Sequence, residues 1–182
     1  MGSISSHAPA MLIMAVCSRY PEALRWAARR AEAAWGPLEP ASPAFDFTET
    51  DYYSATMGGD LKKQFLAVAG LIDPAQLPEI KRTTNLWEAE YTEGAAHPEP
   101  RPLNLDPGYL TAAKLVLAST KDHSHRLYLG QGIYAEVTLY YRAGQWQARE
   151  WTYPDYRRAD FHAYFTQRRN ELQARAREAR PS

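Results

Sequence analysis

The chain has 182 residues, 21 Lys plus Arg against 21 Asp plus Glu, no formal net charge, 45% hydrophobic residues and 23% charged ones. That length suits one domain with a proper core, and the composition excludes a disordered chain. A generic nucleic-acid binder carries a basic excess; its absence weighs against that class while leaving a local basic patch open.

Cys17 is the one cysteine, so no internal disulfide can form. It closes the apolar run Met11–Cys17 and reads as a small buried hydrophobe, because nothing basic beside it would stabilise a thiolate. The run is too short to span a bilayer and lacks the charged start of a secretion signal. Met1–Ser6 fits the loose myristoylation pattern, which a flexible Gly/Ser start explains equally well. The expectation is a cytoplasmic protein with no membrane partner, one domain over 1–182, and flexible ends at 1–9 and 176–182.

Residues 10–17 predict a buried strand. Pro21 opens a helix with the apolar stripe Leu24, Ala27, Ala28, Ala31, Ala34 and Trp35, which Gly36-Pro37 terminates. Residues 38–53 are extended and rich in Pro and aromatics, and Lys62–Ile72 is a second strand. Asp73-Pro74 marks the start of a helix running to about Glu93, with Pro78 making its first turn irregular. Arg101–Asp106 alternates Leu103 and Leu105 with Asn104 and Asp106, and Asp106-Pro-Gly-Tyr109 has turn chemistry. This order of elements is ferredoxin-like, βαββαβ.

An antiparallel β-meander is expected to follow. Its strands are Lys114–Thr120, Arg126–Leu129, Ile133–Arg142 and Gln145–Thr152, with turns at Gly130-Gln-Gly132 and Ala143-Gly144. Ile133, Ala135, Val137 and Leu139 point one way; Tyr134, Glu136, Thr138 and Tyr140 point the other. A last helix over Arg158–Glu178 carries Phe161, Tyr164, Phe165 and Leu172 on one side. The fold class is therefore α+β.

Gly130-Gln-Gly132-Ile-Tyr-Ala135 matches the letters of the dinucleotide fingerprint, but that fingerprint needs a helix behind it to aim amides at pyrophosphate. A strand follows, so the glycines are a hairpin turn. No P-loop motif is present either, and no cofactor is expected. His123-Ser-His125 would need a third protein ligand to hold a metal, with Asp106, Asp122 or Glu136 as the available donors. A solvated turn accounts for the pair more simply, so no metal site is assigned.

The stronger signal is a sheet face. If the meander pairs in sequence, Arg126, Tyr128, Tyr134, Glu136, Thr138 and Tyr140 share one side, with Arg149 and Trp151 beside them. Glu136 and Arg126 would then be charges that burial forces into pairing. The competing reading covers this face with the last helix and packs its Phe residues on the tyrosines. Trp151-Thr-Tyr-Pro-Asp-Tyr-Arg157 follows as a loop dense in aromatic and hydrogen-bonding groups, and Asp51-Tyr52-Tyr53 has the same character.

Phe45-Asp-Phe-Thr…Asp51-Tyr-Tyr, Asn104-Leu-Asp-Pro-Gly-Tyr-Leu110, Lys114-Leu-Val-Leu-Ala118, Lys121-Asp…His125-Arg-Leu-Tyr-Leu-Gly130, Gly132-Ile-Tyr-Ala-Glu-Val-Thr-Leu139 and Trp151-Thr-Tyr-Pro-Asp-Tyr-Arg157 together resemble the bacterial and archaeal family called domain of unknown function 4416. The resemblance runs in order over roughly residues 10–170. It implies one globular domain and names no ligand. Some members carry a GTP-binding label, which the missing P-loop leaves without physical support here. His125-Arg126 fits the family pattern, whereas a histidine at 123 is not part of it.

Two functions of different class follow from the residues. The first is binding or turnover of a small anionic ligand, phosphorylated ones included. Lys114, Lys121, Arg126 and Arg157 would hold the anion, and Asp106, His125 and Glu136 would serve acid–base chemistry. Tyr134, Trp151, Tyr153 and Asp155 would line the cleft. No nucleophile stands out, so the sequence leaves open whether this is an enzyme. The second is a non-catalytic RNA- or nucleotide-binding module, or an interaction scaffold using the aromatic loops.

Overall fold

An unbroken apolar run has no polar face to offer water, so it forms a strand covered on both sides. This is β1 (Ala10–Ser18), buried along its whole length in the computed structural model, which describes residues 3–4 and 6–178. β1 pairs antiparallel with β3 (Lys62–Ile72) on one side and β4 (Asn104–Leu110) on the other. The two-residue β2 (Phe45–Asp46) extends the sheet beyond β3. β5 (Lys114–Ser119) pairs with β4, and β7 (Ile133–Arg142) pairs with β5. β6 (Leu127–Gly130) and β8 (Gln145–Ala148) follow one another along the far edge of β7. All these pairings are antiparallel, and the eight strands run β2-β3-β1-β4-β5-β7-β6 with β8 on β7.

The helices cover both faces. α1 (Pro21–Trp35) begins at a proline and ends at Gly36, whose φ of 92° a side chain would resist. α2 (Ser54–Met57) is one turn. The Asp73 carboxylate accepts a hydrogen bond from the Ala75 N–H (2.8 Å) and starts a short 3-10 turn that leads into α3 (Leu77–Gly94). α1 and α3 pack Ala23, Leu24, Ala27, Trp87 and Tyr91 on Met14, Val16, Leu66 and Leu105. On the other face α4 (Ala159–Glu178) packs Phe161, Phe165 and Leu172 on Met11, Ile13, Phe65 and Leu139. The fold is thus mixed α+β, an antiparallel sheet with a C-terminal helix. Among the described residues no helix is long and apolar enough to cross a membrane.

Three expectations need correction. Asp106-Pro-Gly-Tyr109 does not turn: β4 continues through it, because β1 supplies partners in register at Ala15↔Asp106, Met14↔Pro107 and Ile13↔Gly108. The second half is not a sequential meander, because β5 pairs with β7 and β6 is displaced to the outer edge. The physical reason lies in the side chains. β7 has buried residues for both faces and needs a central place, whereas Leu127, Tyr128 and Leu129 of β6 are exposed and suit an edge. The last strand stops at Ala148 rather than Thr152. Of the ends expected to be flexible, 176–178 are helical within α4, while residues 1, 2, 5 and 179–182, including part of the myristoylation-like start, lie outside the described residues.

Two of the sheet's irregularities shape the site. The β4–β5 ladder holds only at Gly108↔Leu117, Tyr109↔Val116 and Leu110↔Leu115; beyond Gly108 the strands part. A methyl group on Gly108 would overlap the carbonyl oxygen of Val116, so glycine is what lets the strands meet before they diverge. Gly108→Ala is expected to cost about 1–3 kcal/mol in urea unfolding, as other overpacked sites do. The second irregularity is a bulge in β7 opposite Leu115/Val116, where Thr138 is the extra residue. It places Leu139, not Tyr140, on the side of Glu136, and Tyr140 stacks instead under Arg149, 3.9 Å from its ring centre. The single aromatic face expected from strict alternation is therefore broken.

Candidate functional site

Where β4 and β5 part, and where α4 no longer covers the sheet, a cavity of about 580 Å³ opens. The strand ends form its walls, the segment carrying Phe47, Tyr52 and Tyr53 forms one rim, and Tyr153–Tyr156 forms another. Lys81 and Asn85 of α3 reach it through the split in the sheet.

On the β6–β7 side the centre is Glu136, whose side chain is 2% exposed. One of its oxygens accepts from Arg126 Nε (2.8 Å) and lies 3.1 Å from His125 Nε2; the other accepts from Thr138 Oγ1 (3.1 Å). Arg126, equally buried, donates further to Ser119 Oγ (2.7 Å), the Lys121 carbonyl (3.0 Å) and Tyr153 Oη (2.8 Å). A charge this deep is tolerable only with such partners. Glu136 makes none of its hydrogen bonds to α4, so it is not an ion pair of the final helix.

The opposite side is built on Asp106. Its carboxylate accepts from Lys81 Nζ (3.2 Å) and Asn104 Nδ2 (2.7 Å), and Lys81 also donates to the Leu105 carbonyl (2.8 Å). Burial alone would raise this carboxyl; the Lys81 and Lys63 ammonium groups and the Asn104 amide outweigh it and hold it below the usual carboxylate range. Asn104 is fixed in turn by Arg101, which pairs with Glu88 (2.8 Å). Between the two sides Lys63 forms a buried ion pair with Asp155 and stands 4.0 Å over the Phe47 ring. Burial pushes the nearby Cys17 thiol up to about 12, so it stays a neutral thiol at physiological pH.

The cations around the cavity are Lys63, Lys81, Arg101, Arg126 and Lys121. The first four are matched by Asp155, Asp106, Glu88 and Glu136. Lys121 has no carboxylate partner among the described residues; its ammonium donates to Tyr52 Oη (2.8 Å), and that hydrogen bond lowers the tyrosine hydroxyl's pKa. No group of three His, Cys, Asp or Glu among the described residues is placed to hold a metal ion. His123, His125 and Trp151 stack ring on ring, with centroids 5.8 and 5.2 Å apart.

The family pattern of domain of unknown function 4416 matches residues 8–172. The chain belongs to that family. Neither a curated protein nor a solved structure matches it. All six segments that carry the family resemblance contribute to the cavity wall, through Phe47, Asp106, Leu117, Lys121 with Arg126, Glu136 and Asp155.

Of the residues picked from the sequence, Asp106, Lys121, Arg126, Glu136, Tyr153 and Asp155 line the cavity, and His125 touches it through Glu136. Four do not. Lys114 is at the other end of β5 from Ser119. Tyr134 packs on Tyr128, and Trp151 stacks on His125 and donates to the Val137 carbonyl (3.1 Å). Arg157 spends its donors on the carbonyls of Arg149, Glu150 and Thr152, and so shapes the loop rather than facing a ligand.

Sequence reasoning missed Lys63, Lys81, Asn85, Arg101 and Asn104. Two had a readable signal. Lys81 sits among the buried positions Leu77, Ile80, Thr84 and Trp87 of α3, and Lys63 alternates inward with Phe65 and Ala67. A lysine on an apolar stripe needs a buried partner.

Proposed function

We propose that this protein binds a small anionic ligand, phosphorylated ones included, in the cavity between the split strands. The observation that carries this reading is Lys121, a cation at the cavity wall without a carboxylate partner among the described residues, beside Arg126, whose fork has an N–H donor left over. If the ligand is turned over, Asp106 and the His125–Glu136 pair are the acid–base groups within reach. We read the chain as one cytoplasmic domain, and its first half as ferredoxin-like, which the strand order β2-β3-β1-β4 supports. An RNA-binding module of that type would need an open sheet face for base stacking, and helices pack on both faces here.

Calorimetric titration with inorganic phosphate and pyrophosphate tests the reading. Saturable binding is expected, weakened about 10-fold in Lys121→Ala by loss of one charge-assisted contact. The urea midpoint of that variant should stay at the wild-type value, because the side chain makes no buried ion pair. Absence of saturable binding by both anions would refute the reading.

A further inference from the structure

We infer that the ligand is an anionic polyol, a chain or ring of hydroxyl groups with a single anion at one end, lying across the split between β4 and β5. This rests on the anion-binding reading above and concerns the rest of the molecule. The two ends of the cavity differ in kind. Near β6 unused donors outnumber unused acceptors: Lys121 Nζ has one of its three N–H donors engaged, by Tyr52, and Arg126 has four of its five engaged, while Glu136 keeps one acceptor site, on the oxygen bonded to Thr138. An excess of cationic donors over acceptors suits an anion.

Across the split the unused groups are mixed. Each Asp106 oxygen accepts one hydrogen bond, from Lys81 or from Asn104, and each has room for another. Lys81 Nζ uses two of its three donors, on Asp106 and the Leu105 carbonyl. Asn85 is half-buried at the cavity wall, and its amide bonds to no other described residue. A hydroxyl group donates once and accepts as well, so a carboxylate beside a free ammonium donor and a free amide satisfies neighbouring hydroxyls in both directions. A second anion at this end would meet the Asp106 carboxylate and be repelled. Asp106 and Glu136 lie on strands separated by β5, and with β4 parted from β5 at Asp106 they are at least roughly 10 Å, two strand spacings, apart, which matches a sugar phosphate or sugar acid better than bare phosphate. The cavity of about 580 Å³ falls within the range of small-molecule sites.

Calorimetry with ribose 5-phosphate, inorganic phosphate, ribose and gluconate on the full chain tests this. Ribose 5-phosphate is expected to bind about 10-fold more tightly than phosphate, one or two extra neutral hydrogen bonds' worth. Gluconate binding as tightly as ribose 5-phosphate would assign the anion as a carboxylate; gluconate binding weaker than phosphate would assign it as a phosphate. Asn85→Ala, which removes an amide with no partner among the described residues, should erase most of the gain of ribose 5-phosphate and leave phosphate affinity unchanged. Asp106→Asn should also reduce the ratio of ribose 5-phosphate to phosphate affinity, with its folding checked separately because Lys81 loses its counter-charge. Phosphate binding without any gain from the sugar would overturn the polyol inference and leave the anion site standing. So would an Asn85→Ala variant that weakens phosphate and ribose 5-phosphate equally. Failure of every anion to bind would overturn both.

Discussion

Glu136→Leu is expected to destabilise the protein by about 3–5 kcal/mol in urea unfolding, the usual cost of removing one partner from a buried ion pair. Leucine fills much the same volume, so the loss is electrostatic. Arg126 stays at 2% exposure with its Nε–H facing no acceptor, and His125 and Thr138 lose theirs. Glu136→Gln separates charge from shape. Its carbonyl oxygen can still accept from Arg126 Nε, so the cost should fall to about 1–2 kcal/mol. Equal losses in the two variants would mean that the negative charge, and not the hydrogen-bonded frame, holds Arg126 in place. The Arg126 fork also fixes Ser119 and Tyr153, so the leucine variant should lose phosphate binding together with stability.

Lys63→Met should cost a similar amount, about 3–5 kcal/mol, for the complementary reason. The methionine retains the stem that packs beside Phe47 and Tyr156, while Asp155 keeps a carboxylate 4% exposed with its ammonium gone. The damage should be local first. Asp155 anchors the Tyr153–Tyr156 rim to β3, so amide exchange in that loop should accelerate before the sheet opens. The double variant Lys63→Met, Asp155→Leu should recover most of the stability, because an apolar pair of similar size avoids the desolvation of both charges. A double variant no more stable than the single one would show that Asp155 contributes through its place in the 3-10 turn rather than through the ion pair.

Much of this was readable one segment at a time. β1, α1, β3 and β7 lie within a residue of their expected bounds, since apolar periodicity and Gly/Pro punctuation act over a few neighbours. The Arg126–Glu136 pair was legible for the same reason: the two residues belong to one hairpin. Lys81 and Lys63 were legible in principle as charges on apolar stripes, and their partners were not, because Asp106 and Asp155 come from distant segments.

By itself, the sequence determined the local elements, the α+β class, the family, and a short set of charged residues that had to find partners if buried. Only the tertiary structure decided which strands are neighbours, and with that the site. Whether β5 pairs with β6 or with β7 is a competition between long-range ladders, won by the strand that can be buried on both faces. The bulge at Thr138 then turns Tyr140 off the face of Glu136, and the close contact at Gly108 followed by the parting of β4 from β5 opens the cavity. Neither feature has a local signature, because each depends on a backbone brought alongside by the rest of the fold.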